Sequence, residues 1–346
     1  MNIGVGSVIL SKINELYHSF DADGPKEKVV LLGYGWAGKA FADRLNTKRY
    51  DLTVISDKPA MLNTTRMKNS LKVNDSNLFR FGRHSIKTET VQRVDQVRRQ
   101  VHTTAGPPYS YDYLVVATGS IPNDFHVPGV KEHCHFFKSP TDLEKLRQEL
   151  HIEQAIAIVG AGPTGLELAF ELHAQGYKKI TLVEAQAGLL PTFSVPAREM
   201  ILSELQTCGI TVKFNTPVIW VEPGQLKTKT GPGIPFDVAI WNCGIKPSVI
   251  PGFTGNTDDY LRMNESAPVF AIGDITRKGP PTAQNAKQQG IYLAKAFNGG
   301  FQGFKHKYTF QEKIKVLHTK DALIIDIGQK AFRFPKYFDR IYNLFI

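Results

Sequence analysis

This sequence of 346 residues predicts two α/β units of one kind, each built on a parallel sheet. Three observations carry that prediction. The glycine signature Gly33-Tyr-Gly35-Trp-Ala-Gly38 returns as Gly160-Ala-Gly162-Pro-Thr-Gly165. Each copy is followed by an acid 24 positions after its first glycine, Asp57 in one case and Glu184 in the other. A later run, Tyr111-Asp112 leading Tyr113 to Pro122, is matched in spacing by Phe236-Asp237 leading Val238 to Pro247. A lone G-x-G-x-x-G is weak evidence, and an apolar run ending in Gly and Pro is ordinary turn punctuation. Repetition of the whole set identifies an architecture.

The elements follow in chain order. Residues 1–20 read as a short amphipathic helix or an unstructured lead, and Asp21 to Pro25 as the linker into the first strand. Val29-Val30-Leu31-Leu32 has the length and composition of a buried strand. Gly33 to Gly38 then turns the chain into a helix, and Leu52-Thr53-Val54-Ile55 is the strand that delivers Asp57. Ala157-Ile158-Val159, the second signature and Ile180-Thr181-Leu182-Val183 repeat these steps and deliver Glu184. In such a strand, loop and helix the glycines permit the tight turn, the approach of backbone N–H groups to a pyrophosphate, and close helix–sheet contact. The acid receives ribose hydroxyls. In both Asp-led strands a Gly follows the Asp by seven residues, Gly119 and Gly244, and a Pro comes three later. The units are therefore two Rossmann-like dinucleotide-binding domains, and two dinucleotides in one chain point to electron transfer between them.

Composition sets limits. Hydrophobic residues make up 42% and charged residues 21% of the chain, the balance of a globular protein, with room for about two domains. The formal charge of +10 favours anionic partners. Its lysines and arginines are scattered, with only short clusters such as Arg98-Arg99 and Lys305 to Lys307, and no nucleic-acid module surrounds them. A solvated basic surface is the reading, not a nucleic-acid partner. Cys134, Cys208 and Cys243 form no C-x-x-C or C-x4-C pair, so transfer of electrons to a disulfide is not supported. Cys and His show no zinc-ligand spacing, and no metal is expected. No run of about 18 apolar residues exists to form a transmembrane helix. Residues 1–10 lack a positive n-region, and the first arginine is Arg44, which argues against a secretory or mitochondrial leader.

From Tyr111 onward the motifs become specific: Tyr-Asp-Tyr-Leu-Val-Val-Ala-Thr-Gly-Ser-Ile-Pro-Asn, Pro128-Gly-Val-Lys-Glu-His-Cys-His-Phe-Phe-Lys138, Gly162-Pro-Thr-Gly-Leu-Glu167, Ala271-Ile-Gly-Asp274 and Pro281-Thr-Ala-Gln-Asn-Ala-Lys-Gln-Gln-Gly290. They resemble the type II (alternative, non-proton-pumping) NADH:quinone oxidoreductases, from about residue 28 to residue 300. The resemblance implies an NADH domain inserted into a split FAD domain. FAD would be held by Gly33, Gly35, Trp36, Ala37, Gly38 and Asp57, with Ala117-Thr118-Gly119 and Gly273-Asp274 passing close to it. NADH would be held by Gly160, Gly162, Pro163, Thr164, Gly165, Glu184 and Gly244. The run from Ala283 would lie under the flavin and help form a quinone pocket. Glu167 matches the family's glutamate beside the isoalloxazine, placed to relay protons. Taken alone, Glu167 reads first as a helix first-turn carboxylate favoured by the dipole. Glu184 has its own argument: a carboxylate at that strand end accepts from a free 2′-hydroxyl and repels a 2′-phosphate, so NADH is preferred over NADPH.

Gln284 and Gln288 are four apart and share one helix face, so two amides can bracket a quinone carbonyl, although a polar helix surface shows the same spacing. Where the family carries an aromatic, proline-containing segment, this chain has Lys58 to Met67. After residue 300 come a strand-like Lys313 to Ile327 region and a final Phe332 to Ile346 run. In that run Tyr337, Phe338, Ile341, Tyr342, Phe345 and Ile346 can face one way, as in an interfacial helix. A helix packed on its own domain or on a homodimer partner fits equally. The expected division is a lead of 1–25, an FAD domain of 26–130 plus 265–300, an NADH domain of 131–264 and a C-terminal region of 301–346. The expected protein is a peripheral membrane enzyme, cytoplasmic or mitochondrial and not secreted. Its rivals are a reductase of a rubredoxin- or ferredoxin-type carrier, a redox-sensing binding protein like apoptosis-inducing factor, and a sulfide:quinone reductase, which needs reactive cysteines.

Overall fold

Every residue from Val29 to Leu32 is buried, and a strand that is apolar on both faces belongs inside a covered parallel sheet. The computed structural model describes residues 25–71, 78–263 apart from 249, 252 and 254, and 268–335 apart from 301–305 and 313. In it Glu27–Leu32 lies between Tyr113–Val116 and Tyr50–Ser56, with Val269–Ala271 and Ile86–Thr88 outside them, all parallel. The second sheet has the same plan. Ala155–Val159 lies between Val238–Trp241 and Lys179–Val183, with Thr211–Lys213 beyond the latter and His135–Phe136 beyond the former, again all parallel.

The repeated Asp has a structural reason. Asp112 accepts the Lys28 backbone N–H at 2.7 Å and donates its own N–H to the Lys28 carbonyl at 2.9 Å. Asp237 makes the same two bonds with Ala155, at 2.6 and 2.8 Å. Each carboxylate thus pins the start of one central strand to the next. Past these strands the chain crosses between the sheets, and the crossings Ser120–Pro122 and Ile245–Pro247 pair antiparallel. The Thr118 hydroxyl donates to the Ser248 carbonyl at 2.6 Å, closing the junction.

Helix Trp36–Ala42 follows the first signature and packs on helix Ala283–Asn298. Contact is close because Gly290 has no Cβ, which would collide with the Ala37 carbonyl. Phe297 anchors the other end, with Phe41, Tyr50, Tyr113 and Phe270 edge-on to it at 5.2–5.4 Å between ring centroids. Burying such rings is the main stabilising term here, at about 2–3 kcal/mol per large side chain.

The C-terminal part is a three-stranded antiparallel sheet, Lys315–His318, Ala322–Ile327 and Lys330–Pro335. It corrects one expectation: Phe332 to Pro335 is strand, not the start of a helix. Gly328, at φ +63°, reverses the chain in a two-residue loop, and six residue pairs then join Ala322–Ile327 to Lys330–Pro335, so hairpin pairing takes Phe332 to Pro335 into a strand. The apolar positions from Tyr337 to Ile346 lie outside the described residues, as does the lead of residues 1–24. No helix among the described residues is long and apolar enough to cross a membrane.

Candidate functional site

One cavity of about 1470 Å³ runs between the two sheets' loop ends. Pockets for single small ligands are commonly ~300–1,000 Å³, so this one has room for more than one. Both glycine signatures open onto it, and their three glycines do different work. A Cβ on Gly33 (φ +94°) would strike the Ala117 carbonyl, and one on Gly38 the Gly33 carbonyl. In the second signature Gly160 (φ +103°) abuts the Asn242 carbonyl and Gly165 abuts the carbonyl of Gly160. A Cβ on either middle glycine, Gly35 or Gly162, would meet nothing within 4 Å, and both residues line the cavity. Their missing side chains leave empty space at two helix N-termini, the surface a pyrophosphate requires. The residues therefore fit two dinucleotides.

Trp36, Ala37, Asp57, Ala117, Thr118, Gly119, Pro163, Thr164, Gly244, Gly273, Asp274, Ala283 and Gln284 also line the cavity. Gly38, Gly160 and Gly165 stand behind its wall as packing positions. Glu184 is not in the lining; its carboxylate accepts the N–H groups of Ala161 and Gln186, each at 2.9 Å, which fixes it beside the second glycine loop. Asp274 accepts the Ser120 hydroxyl at 2.7 Å and faces the Lys138 ammonium at 3.9 Å. Burial holds Lys138 below the usual lysine range, against the pull of Asp274. Lys138 is thus a partly desolvated cation in the wall, which suits phosphate or flavin oxygens.

Glu167, the fifth residue of helix Pro163–Ala174 and so beyond the first turn in which the sequence placed it, is the centre of an ionic cluster. Its Oε2 lies 2.7 Å from Lys68 Nζ, and its Oε1 accepts the backbone N–H of His318 at 3.0 Å and His318 Nδ1 at 2.7 Å. Burial alone pushes its carboxyl up; Lys68 and His318 outweigh that and hold it at about 2. Lys68 and Glu167 line the cavity. Sequence reasoning missed Lys68 and His318, since neither lies in a motif and only the folded chain joins the 3-10 segment Thr64–Ser70 to the strand Lys315–His318.

The two glutamines separate. Gln284 lines the cavity. Gln288 does not: its amide makes a two-bond bridge to the backbone of Gln311, at 2.8 and 3.0 Å. The inward polar pair is Asn285 and Gln289. Gln289 is fully buried, accepts the Gly273 N–H at 2.7 Å and donates to the Lys278 carbonyl at 2.8 Å, so it holds the Gly273–Asp274 loop in place. A sequence signal existed for it, because Gln289 lies on the stripe of Ala286, Leu293 and Phe297.

Burial pushes the Cys134 and Cys243 thiols up to about 12, and burial also raises Cys208. None of the three lines the cavity. Among the described residues no cluster of His, Cys, Asp and Glu is arranged to hold a metal ion.

A match to a single family, pyridine nucleotide-disulphide oxidoreductase, extends over residues 27–290. The chain belongs to that family. It is 30% identical to the external alternative NAD(P)H-ubiquinone oxidoreductase B2, mitochondrial, of Arabidopsis thaliana, over 78% of this chain and 59% of that protein. A probable NADH dehydrogenase of Dictyostelium discoideum is 28% identical over 79% of this chain and 73% of its own length. The structure of NDH2 from Plasmodium falciparum in complex with NADH superposes with a TM-score of 0.79 at 19% identity, over 92% of this chain and 94% of that one. The first three relatives are longer, and this member of the family spans 58–59% of their length. The doubly dinucleotide-binding α/β fold is thereby established, without the redox disulfide for which the family is named.

Proposed function

We propose that this oxidoreductase binds FAD in the first unit and NADH in the second, and passes two electrons from NADH through the flavin to a quinone without pumping protons. The single observation that carries the reading is the pair of glycine loops whose middle glycines open onto one shared cavity. Its relatives' names supply the acceptor, ubiquinone. Bound flavin supplies the redox chemistry, taking hydride from the nicotinamide and returning electrons to the acceptor. The chain's own groups bind, orient and exclude water. Gly35 and Gly162 admit the pyrophosphates, Glu184 selects a free 2′-hydroxyl, and Gln284 and Ala283 stand where the acceptor would enter. Support for the division into 26–130 plus 265–300 and 131–264 comes from strand order, because Val269–Ala271 rejoins the first sheet after the second is complete. A quinone acceptor implies work at a membrane surface, and the mitochondrial relatives agree with that. The cysteines, whose thiols are raised by burial and none of which lines the cavity, speak against sulfide chemistry.

The test is an anaerobic spectrum of the purified protein, followed by NADH and then a short-chain quinone. Flavin bleaching by NADH and rapid recovery on adding quinone is the expected result. Bleaching without recovery would move the assignment to a carrier-protein reductase or a sensor, and absence of a flavin would refute it.

A further inference from the structure

Basic residues that stand far apart in the sequence gather on one face of the first unit. Residues 80–84 run along helix Trp36–Ala42. Arg80 Cζ lies 5.6 Å from the centre of the Trp36 ring, a Cβ on Gly82 would strike the Tyr34 hydroxyl, and at the far end Arg83 donates to the Asp43 carbonyl. The Asp43 carboxylate is paired with Lys39 and lies 3.9 Å from His84. Arg44 and Lys287 extend the face onto helix Ala283–Asn298. Burial, then Arg44 and Arg80, hold Lys287 below the usual lysine range, so the three cations share one field. Neither Arg44 nor Arg80 has a carboxylate at ion-pair distance among the described residues. Like charges gathered in this way repel one another, and an anionic partner relieves that repulsion. Phe81, between Arg80 and Arg83, is 75% exposed. The cations alone would suit an acidic protein; the ring is what favours a bilayer, whose headgroup boundary accepts an aromatic side chain without a shaped pocket, while arginine and lysine stems reach the phosphates. The position is also apt. Trp36, under Arg80, lines the cavity, as does Gln284, one turn before Lys287 on the same helix.

We propose that this face, Phe81 with Arg44, Arg80, Arg83 and Lys287, docks the protein on an anionic lipid bilayer, the Phe81 ring entering the headgroup boundary and the cations meeting lipid phosphates. The docking surface then belongs to the flavin unit itself, apart from the C-terminal run that the sequence offered for that role. The inference rests on the quinone reading for its purpose, though not for the contact: a lipid-soluble acceptor would pass from the bilayer to the cavity by way of Trp36 and Gln284.

The test is flotation of the holoprotein with vesicles of phosphatidylcholine, alone or mixed with phosphatidylglycerol. The mixed vesicles should carry the protein and the neutral ones should not. Arg44→Gln should weaken binding about fivefold, and Phe81→Ser roughly tenfold. Unchanged binding in both variants overturns the proposal, as does equal binding to neutral vesicles. Phe81→Trp reports on the ring itself. With bromine-labelled acyl chains its emission should be quenched beyond that of the three native tryptophans, and no added quenching would put position 81 outside the bilayer and overturn the proposal. Turnover separates the docking face from the acceptor. Both weakened variants should reduce a short-chain quinone in solution at the wild-type rate and a long-chain quinone embedded in mixed vesicles more slowly. A protein that binds vesicles through this face but reduces no quinone would remove the assigned acceptor and leave the docking surface standing; quinone reduction in solution without vesicle binding would do the reverse. If Arg44→Gln weakens association with an acidic ferredoxin and not with vesicles, the face belongs to a carrier protein and the proposal falls.

Discussion

At the scale of single residues, the three glycines of one signature should fail differently when given a side chain. Gly35→Val fills only cavity space, so the protein should fold with near-normal thermal stability and purify without its yellow colour. Gly38→Val drives its Cβ into the Gly33 carbonyl and should lose stability by roughly 2–4 kcal/mol, as overpacking does. Visible absorbance and thermal unfolding together separate the two. Glu167 gives a pH-dependent test. Its folded carboxyl is depressed from 4.5 to about 2, so its contribution is present above the unfolded value and is lost as pH falls from about 4.5 through about 2. By linkage it amounts to about 3 kcal/mol. Urea unfolding between pH 2 and 7 should therefore show a shallower acid loss in E167Q than in the wild type, and superimposable acid limbs would refute the pairing. Glycines and acids of this kind were legible in the sequence because their spacing is imposed by backbone geometry. Lys68 and His318 were not, since each pairs with Glu167 across a long stretch of sequence, 151 residues in the case of His318, and such pairs leave no local pattern.

At the scale of elements, the helix Ala283–Asn298 shows how far periodicity carries. A four-residue spacing correctly puts polar amides on a common face, but two such faces exist, one position apart. The choice between them is made by burial: Asn285 and Gln289 sit among Ala286, Leu293 and Phe297, while Gln288 turns to Gln311. Gln289→Ala removes the acceptor of the Gly273 N–H and the donor to the Lys278 carbonyl, leaving buried groups unpaired at a cost of about 2–3 kcal/mol. Flavin affinity should fall with it, because the loop it holds carries Asp274. Gln288→Ala opens a half-buried bridge that water can replace and should cost no more than about 1 kcal/mol. Chemical denaturation and flavin retention on dilution would measure both; equal effects would mean that the inward face has been misjudged. The Asp112 and Asp237 strand starts illustrate the opposite case, in which a repeated residue visible in the sequence gains its reason only when the two-bond pinning of adjacent strands is seen.

At the scale of the whole molecule, three units meet, and the smallest is the one least visible in the sequence. The sequence offered Phe332 as the start of a helical run, whereas Gly328 and the pairing partner Ala322–Ile327 make Phe332 to Pro335 a hairpin strand. That sheet is fastened to the second unit. Asp326, buried within it, accepts the Ser194 N–H at 3.0 Å at the start of helix Val195–Thr207, and Arg333 meets Glu204 of the same helix at 2.7 Å. Residues leading into the sheet, among them Phe310, Glu312 and Ile314, help line the cavity. Attachment of the sheet therefore controls how completely the cavity is walled. The surface pair Arg333–Glu204 should matter little, since exposed ion pairs contribute about 0–1 kcal/mol. Asp326 is different, because its removal strands a buried N–H and leaves the Lys315 ammonium with Glu312 as its remaining carboxylate. Asp326→Ala should cost about 1–3 kcal/mol and act locally. Hydrogen exchange is the measurement: amides of Lys315–His318 and Ala322–Ile327 should exchange faster in the variant while those of Glu27–Leu32 and Ala155–Val159 stay protected. Uniform acceleration through all three sheets would instead mean that the small sheet unfolds only with the rest, and that it is part of one cooperative core instead of a wall fastened to it.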